Sequence, residues 1–172
     1  MVNYSLMRQA GTTHRQVIGV ISDTHGLLRV EAIQAFKGCE LILHAGDVGK
    51  PHVLEMLQQT APVIAVRGNV DREEWSDRLP ETATAEVGGV KFYLIHDALH
   101  LDIDPAAAGY RVVITGHTHK PAITQRSGVI YLNPGSAGPR RFRNPVSAAL
   151  LFVEEEQVEV KLLNLVDLTK PL

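Results

Sequence analysis

Short apolar runs alternate with longer amphipathic stretches in the first half of the chain. The runs at 17–21, 41–43 and 63–66 are predicted to be buried strands, and the stretches at 30–36 and 53–59 are predicted to be helices. Strands that alternate with helices are typical of βαβ units, in which neighbouring strands run parallel. The first half therefore predicts an α/β fold with a largely parallel sheet.

From residue 82 onward the pattern changes to strands joined by tight turns. Gly88-Gly89 and Ser127-Gly128 are two-residue hairpin signals, and segment 101–108 is predicted to be weakly helical. The predicted strands are 82–87, 90–95, 112–115, 122–126, 129–132, 148–153 and 158–163. Two sheets packed face to face, with helices outside, accommodate all of these elements.

Composition places the chain in the globular class. Its 172 residues, 45% hydrophobic and 21% charged, suffice for one well-buried domain, which we expect over 17–172 after an N-terminal extension at 1–16. The extension lacks the apolar run of a secretory signal, and no later segment approaches membrane-spanning length. Cys39 is the single cysteine, so no intrachain disulfide is expected. We therefore expect a cytoplasmic protein with no membrane partner.

The charge balance bears on the choice of partner. Seventeen basic and nineteen acidic residues give a formal net charge of −2, so the chain has no overall basic field of the kind that binds nucleic acid without sequence preference. Nucleic acid is therefore not an expected partner, whereas a small phosphoester substrate is compatible with this charge. Assembly into a homo-oligomer is left open.

Metal-competent side chains follow five of the predicted strands. In α/β folds, ligands commonly bind beyond the carboxyl ends of strands, so these side chains are expected to lie close together. The residues are Asp23, His25, Asp47, Asn69, His96, His117 and His119.

The chemistry of this set points to metal ions. Two carboxylates, one amide oxygen and four imidazoles suit Mn, Fe, Zn, Ni or Co and are too rich in nitrogen for Mg or Ca alone. Seven ligands exceed the needs of one tetrahedral site, and a carboxylate such as Asp47 can bridge two ions. Two ions roughly 3.5–4 Å apart can clamp a phosphate and activate a shared water.

Each motif also has an ordinary interpretation. The DTH motif at 23–25 could be a polar turn or a helix cap, and the GN motif at 68–69 could be a turn that uses positive φ. The GHTH motif at 116–119 is the sharpest signal, because two imidazoles two residues apart rarely serve packing. The occurrence of all these motifs at successive strand ends favours the metal interpretation.

The chain resembles the calcineurin-like metallophosphoesterase superfamily in the order of its motifs, which are DTH at 23–25, GD at 46–47, GN at 68–69, His96 and GHTH at 116–119. The run NPGS at 133–136, followed by Pro139-Arg140, resembles the small, single-domain YfcE-type phosphodiesterase branch. The resemblance spans residues 17–165. It implies a four-layer α/β/β/α sandwich of two mixed β-sheets flanked by helices, with a dinuclear metal centre.

The resemblance also implies a role for each side chain. One ion would be held by Asp23, His25 and His119, the second by Asn69, His96 and His117, and Asp47 would bridge the two. Asp47, Asn69 and His96 are thus the expected catalytic residues. The expected cofactors are two divalent ions, Mn²⁺ first, with Fe, Zn, Ni or Co as alternatives. A hydroxide that bridges them would attack phosphorus in line.

The chain departs from the family at two places. Many members carry a histidine directly after the motif asparagine, to protonate the leaving group or hold the phosphate, and the branch often carries cysteine; this chain has Val70. The branch also tends to have His-Gly-His where residues 96–98 read His-Asp-Ala, unless His100 substitutes from the next turn. The nucleophile is expected to be intact, while the source of the leaving-group proton stays open.

Two further residues are given supporting roles. His44 is expected to make hydrogen bonds beside the site or to pack, rather than to bind metal. Asp71 is expected either to orient a ligand imidazole or to cap a turn.

The resulting hypothesis is a metal-dependent phosphoesterase, and specifically a phosphodiesterase that hydrolyses small phosphoesters. The alternative is a metal-binding scaffold for protein interaction with the same fold, like the retromer subunit, and Val70 is compatible with such a use. The complete ligand set, including His25 and Asn69, favours the enzyme because a scaffold has no need of an open metal pair.

Overall fold

The computed structural model describes residues 3–5, 15–140 and 143–172. The strands in these ranges are β1 Asn3–Ser5, β2 Gln16–Ile21, β3 Leu41–His44, β4 Val63–Ala65, β5 Thr82–Val87, β6 Val90–Ile95, β7 Val112–Ile114, β8 Ala122–Arg126, β9 Val129–Asn133, β10 Ser147–Glu154 and β11 Gln157–Asn164. The helices are α1 Val30–Ala35 and α2 Pro51–Gln58, together with the 3₁₀ helices Glu74–Arg78 and Ala98–His100.

The strands form two mixed sheets. The five-stranded sheet has the order β11-β10-β2-β3-β4, in which β2, β3 and β4 are parallel and β10 and β11 are antiparallel to their neighbours. The six-stranded sheet has the order β1-β5-β6-β7-β9-β8, with β6, β7 and β9 parallel. In each sheet the central parallel strands therefore end at the same edge.

Three apolar clusters hold the layers together. The largest lies between the two sheets, where Ile18, Leu43 and Phe92 are among its buried residues. A second cluster packs the helices on the outer face of the five-stranded sheet through residues such as Phe36 and Leu57. The third covers the outer face of the six-stranded sheet with side chains from segment 97–111. The predicted α/β/β/α sandwich is confirmed, and segment 97–111 supplies its fourth layer.

Both predicted two-residue hairpins form. Gly88 and Gly89 have φ values of 58° and 79°, and Ser127 and Gly128 have values of 51° and 77°. Positive φ at both central residues matches the right-handed twist of the flanking strands, so these turns fix the register of β5 with β6 and of β8 with β9.

The predicted helix at 101–108 is wrong. The 3₁₀ helix Ala98–His100 precedes this segment, which itself makes turns. Pro105 disfavours helical backbone at Asp104, whose carboxylate instead accepts hydrogen bonds from the N–H groups of the next turn. Gly109, at a φ of 79°, then ends the turn.

The predicted extension at 1–16 lies partly outside the described residues. Within it, Asn3–Ser5 pairs in parallel with β5, and residue 16 begins β2. Its separate status from a domain over 17–172 stays a prediction. Among the described residues, no helix has the length and apolar character needed to cross a membrane.

Candidate metal centre

The loops that follow β2 and β3 are bonded to each other. The Asp23 N–H donates to the Gly46 carbonyl and the His25 N–H donates to the Asp47 carbonyl, both over 3.0 Å. These bonds continue the parallel pairing of the strands beyond the sheet. The side chains at 23, 25 and 47 therefore have a fixed mutual position.

Loops from the six-stranded sheet join the same region. The Gly116 N–H donates to the His96 carbonyl over 2.9 Å, and the His117 N–H donates to Asp23 Oδ2 over 3.1 Å. His96 Nδ1 lies 2.7 Å from the Ala45 carbonyl oxygen, to which it donates. The first bond joins two loops of the six-stranded sheet, and the other two connect these loops to those of the five-stranded sheet. The loops of both sheets therefore form one site.

The candidate ligands share an unusual backbone conformation. Non-glycine residues rarely adopt positive φ, and they do so mainly at turns and functional sites. Five of the seven candidates have φ between 46° and 68°, namely Asp23, His25, Asp47, His117 and His119. The turns directly after the strands thus bring these side chains together at the edge of the sheets.

Four of the candidates form one compact group. Ligand atoms of Asp23, His25, Asp47 and His119 all lie within 4.8 Å of one another. His119 Nε2 lies 3.1 Å from Asp23 Oδ1 and 3.3 Å from His25 Nε2. Two carboxylates and two imidazoles that converge in this way can hold a divalent cation.

The other three candidates converge on the amide of Asn69. Its Oδ1 lies 3.1 Å from His96 Nε2 and 3.0 Å from His117 Nδ1. His96 Nε2 also lies 3.4 Å from Asp47 Oδ1. This second group therefore contacts the first through Asp47.

Asp47 presents one carboxylate oxygen to each group. Its Oδ1 faces His96 and accepts a hydrogen bond of 3.0 Å from the Val70 N–H, while its Oδ2 lies 3.9 Å from His25 Nε2. A carboxylate that is 2% exposed and contacts both groups has the placement that a shared ligand needs.

The donor set fits cations. The Ala45 carbonyl accepts a hydrogen bond from His96 Nδ1–H. In the neutral ring, Nε2 is therefore unprotonated, and its lone pair faces the oxygens of Asn69 and Asp47. Asp23 Oδ1 is buried and accepts no hydrogen bond from the described part of the chain. When His96 is neutral, acceptor atoms face one another here, and a divalent ion between them would offset their repulsion; without an ion, a proton on His96 Nε2 can do so.

Charge and burial shift the pKa values of the same groups. Burial raises the pKa of Asp23 to about 6, against the hydrogen bond from Ser22. Burial also opposes ionisation of Asp47, but hydrogen bonds from His96 and the Val70 N–H outweigh it and lower the pKa of Asp47. Burial alone would lower the pKa of His96, but the hydrogen bond and the charge of Asp47 outweigh burial, so the pKa of His96 is raised. A buried anion at Asp47 thus draws positive charge into the site.

Asp71 supports the site through the backbone. Its carboxylate accepts hydrogen bonds from the N–H groups of Val48, Gly49 and Gly68, at 3.1, 2.7 and 2.9 Å. It therefore ties the loop after β3 to the loop after β4, one on each side of Asp47. Of the two roles expected for Asp71, the structure favours the one that caps backbone groups.

Asn133, from the NPGS run, supports the GHTH loop. Its Nδ2 donates to the Gly116 carbonyl over 2.6 Å and to Thr118 Oγ1 over 3.0 Å, while its Oδ1 accepts from the Gly135 N–H. Ser136 Oγ in the same turn donates to the Asp23 carbonyl. The NPGS motif can be recognised in the sequence. The contacts of Asn133 and Ser136 could not be predicted from it, because they depend on pairing between strands that are distant along the chain.

His44 lies fully buried beneath the centre. Its Nδ1 accepts from the Gly46 N–H over 3.2 Å, so Nε2 carries the proton and donates to Thr24 Oγ1 over 3.0 Å. Thr24 Oγ1 in turn donates to the Val48 carbonyl. The expected supporting role of His44 is therefore confirmed as a hydrogen-bond bridge between the loops after β2 and β3.

A cavity of about 570 Å³ opens beside the second group. Its lining includes Asn69, His96 and His117, together with His100 and Arg72. Ligand pockets commonly measure 300–1,000 Å³, so a small molecule fits this space.

Comparison with known proteins identifies the family. Residues 17–156 match the calcineurin-like phosphoesterase superfamily domain. The chain is 36% identical over 159 residues to a probable metallophosphoesterase of Methanothermobacter thermautotrophicus, with 86% of this chain and 91% of the relative covered. It is 32% identical over 154 residues to the phosphodiesterase YfcE of Escherichia coli K12, with 76% and 84% covered.

A solved structure shares the same fold. Vps29 of Entamoeba histolytica, complexed with Zn²⁺, superposes with a TM-score of 0.72 at 25% identity, covering 88% of this chain and 94% of that one.

The chain belongs to the calcineurin-like phosphoesterase superfamily and is a metal-dependent phosphoesterase. The family resemblance stated from the motifs is thereby confirmed. The ligand roles of the individual residues stay predictions.

We predict that Gly116→Ala weakens metal binding by a steric effect. A Cβ at this position would collide with Ser22 Oγ and lie 2.8 Å from Asp23 Oδ2, so the carboxylate must move. Titration of the metal-free variant with Mn²⁺ by calorimetry should show at least a tenfold weaker affinity.

Gly38→Ala is the matched control. Gly38 has a φ of +84° and nothing within 4 Å of an added Cβ, so alanine there costs about 1 kcal/mol through the backbone alone. Its Mn²⁺ affinity should equal that of the wild type. Equal affinities in both variants would contradict the steric explanation.

We predict that His44 makes the metal-free protein sensitive to acid. Burial, aided by nearby His96, lowers the pKa of His44 to about 3 from its ordinary 6.5. The unfolded chain therefore binds a proton that the folded one does not. The contribution of His44 is complete above pH 6.5 and is lost as pH falls toward 3, at up to about 1.4 kcal/mol per unit.

Urea unfolding in chelator at pH 7, 6 and 5 measures this effect. The free energy of unfolding should fall less steeply in His44→Gln than in the wild type, whatever its value at pH 7. His52→Gln, which changes an exposed histidine of α2, should keep the wild-type slope. Equal slopes in His44→Gln and the wild type would refute the prediction.

Proposed function

We propose that this chain is a dinuclear metal-dependent phosphodiesterase that hydrolyses small phosphoesters by in-line attack of water on phosphorus. The observation that carries the proposal is the position of Asp47, whose two carboxylate oxygens face two different groups of ligand-competent side chains. Family membership supports a phosphoester substrate, and the similarity to YfcE supports a diester.

Each group would hold one ion. Asp23, His25 and His119 form the first set, Asn69, His96 and His117 form the second, and Asp47 belongs to both. When bound, two divalent ions lower the pKa of a coordinated water and neutralise the charge that grows on the phosphoryl oxygens. Mn²⁺ is the proposed ion, with Fe, Zn, Ni or Co as alternatives that the mixed nitrogen and oxygen set also suits.

The protein's own residues supply orientation. The Ala45 carbonyl fixes the ring of His96, Asp71 fixes the backbone on both sides of Asp47, and Asn133 fixes the GHTH loop. A phosphate bound between the two groups would lie beside the cavity that His117 and Asn69 line, and we infer that the leaving group would extend into that space. The cavity's volume supports a small substrate, and a cytoplasmic location remains a prediction.

A metal-binding scaffold is the second candidate function. The observation that favours it is the similarity to Vps29, which binds Zn²⁺ in a structure of the same fold. Under this hypothesis the ions would serve structure and no turnover would occur. The metal dependence of hydrolysis therefore separates the two candidates.

We predict that chelation abolishes phosphodiesterase activity and that Mn²⁺ restores it. Under the proposed mechanism the nucleophile is water activated by metal held at the carboxylates and imidazoles of the centre, so removing the metal removes the nucleophile. Hydrolysis of bis(4-nitrophenyl) phosphate should fall at least 100-fold in dialysed, metal-free protein and return with added Mn²⁺. Full activity in the stripped protein would refute the mechanism, and no activity with any of the five metals would favour the scaffold.

We predict that Asp47→Asn is the most damaging single change at the centre. The amide removes the charge that both groups share, so metal content measured by plasma mass spectrometry should fall by more than one ion per chain. Asp167→Asn, a change at an exposed C-terminal turn, should keep the wild-type content. Wild-type content in Asp47→Asn would contradict the shared ligand.

A further inference from the structure

His100 stands at the wall of the cavity that the leaving group would enter. It ends the 3₁₀ helix Ala98–His100, and its side chain is 79% exposed. The same cavity is lined by His96, His117 and Asn69 of the proposed second ion group. An imidazole that faces both this space and solvent can exchange protons with water between turnovers.

Asp97 fixes the position of this imidazole. Its Oδ1 accepts a hydrogen bond of 3.0 Å from the Leu99 N–H and so caps the 3₁₀ helix that carries His100. Its Oδ2 lies 3.4 Å from His100 Nδ1 and 3.7 Å from His117 Nε2. The Asp97 carboxylate, 19% exposed, therefore lies between His100 and the proposed metal ligand His117.

Val70 lies in a different place. Its backbone N–H donates to Asp47, its side chain is 42% exposed, and it is absent from the described residues that line the cavity. A leaving group in the cavity would therefore meet His100 rather than residue 70. The Val70 side chain has no proton to donate, and the His100 imidazole lies on the cavity side.

We propose that His100 is the general acid of this enzyme, and that Asp97 is its positioning residue. The inference rests on the proposed phosphodiesterase function. With Nδ1 directed at Asp97, the opposite ring nitrogen, Nε2, is the one that can reach the substrate.

The proposed step balances with water alone. The oxygen of water forms a bond to phosphorus as the bond from phosphorus to the leaving oxygen breaks. The Nε2 proton of His100 passes to that leaving oxygen, which departs as a neutral alcohol. The proton lost by the attacking water goes to solvent, and His100 regains one from solvent.

The ordinary interpretation is a surface ion pair that merely stiffens the rim. Such a pair contributes little stability, and its loss would slow all substrates alike. A general acid instead matters in proportion to the basicity of the leaving group, because a good leaving group departs without a proton. The dependence of rate on leaving group therefore separates the two interpretations.

The experiment measures kcat/KM in Mn²⁺ for a series of methyl aryl phosphodiesters, from 4-nitrophenol to phenol, with methyl benzyl phosphate as the most basic member. His100→Gln should lose about 100-fold on the benzyl ester, since general acid catalysis typically contributes 10²–10⁴-fold, and about threefold or less on the nitrophenyl ester. Asp97→Asn should show the same trend with a smaller loss, expressed in kcat more than in KM.

The controls keep the result decisive. His52→Gln removes an exposed histidine of α2 and should reproduce the wild-type series. Imidazole added to His100→Ala should restore activity on the benzyl ester more than on the nitrophenyl ester, which a structural role would not allow. If wild type and His100→Gln give parallel plots, or if imidazole restores nothing, His100 is not the acid. If the wild type hydrolyses no member of the series, the proposed function fails as well.

Discussion

Two carboxylates removed from water determine how this site is built. Asp23 is fully buried and Asp47 is 2% exposed, and their mutual repulsion adds to the burial that raises the pKa of Asp23. Buried anions are costly unless opposite charge or hydrogen bonds compensate them. Imidazoles from both sheets surround them, and Ser22 and two backbone N–H groups donate to their oxygens. The arrangement is therefore a pre-formed negative site whose charge divalent ions would satisfy.

Placing so many polar groups at one edge requires strained backbone. Left-handed φ at a non-glycine residue costs about 1 kcal/mol, and five candidate ligands adopt it. The strain persists because the surrounding bonds leave no alternative: Asp71 accepts three backbone N–H groups, and Asn133 holds both the GHTH loop and its own turn. The two sheets supply the rigidity that these loops need.

Hydrophobic periodicity was sufficient for most of the fold, because the central strands are short, buried and bounded by turn residues. The exposed strand β8 was instead found from the hairpin signal Ser127-Gly128 that follows it. The ligand-bearing positions were also visible, since polar residues directly after buried strands have few other uses. The contacts of Asp71 and His44 were harder to predict, because their partners lie more than twenty residues away or depend on ring tautomer. The helix predicted at 101–108 was wrong because the alanines of this segment favour helix, while Pro105 and Gly109 limit it to one turn.

The two halves of the site are constrained to different degrees. Backbone hydrogen bonds join the ligand-bearing loops within each sheet, and the bonds of His117 N–H to Asp23 and of His96 to the Ala45 carbonyl join the two sheets. The cavity wall at 97–100 is instead a short 3₁₀ turn capped by Asp97, and its side chains are not part of the sheet core. Substitutions at His100 would therefore change the lining of the cavity without breaking the backbone bonds that hold the ligand-bearing loops together. The rigid part of the site is therefore the set of ligand-bearing loops, and the part less tied to the sheets is the cavity wall.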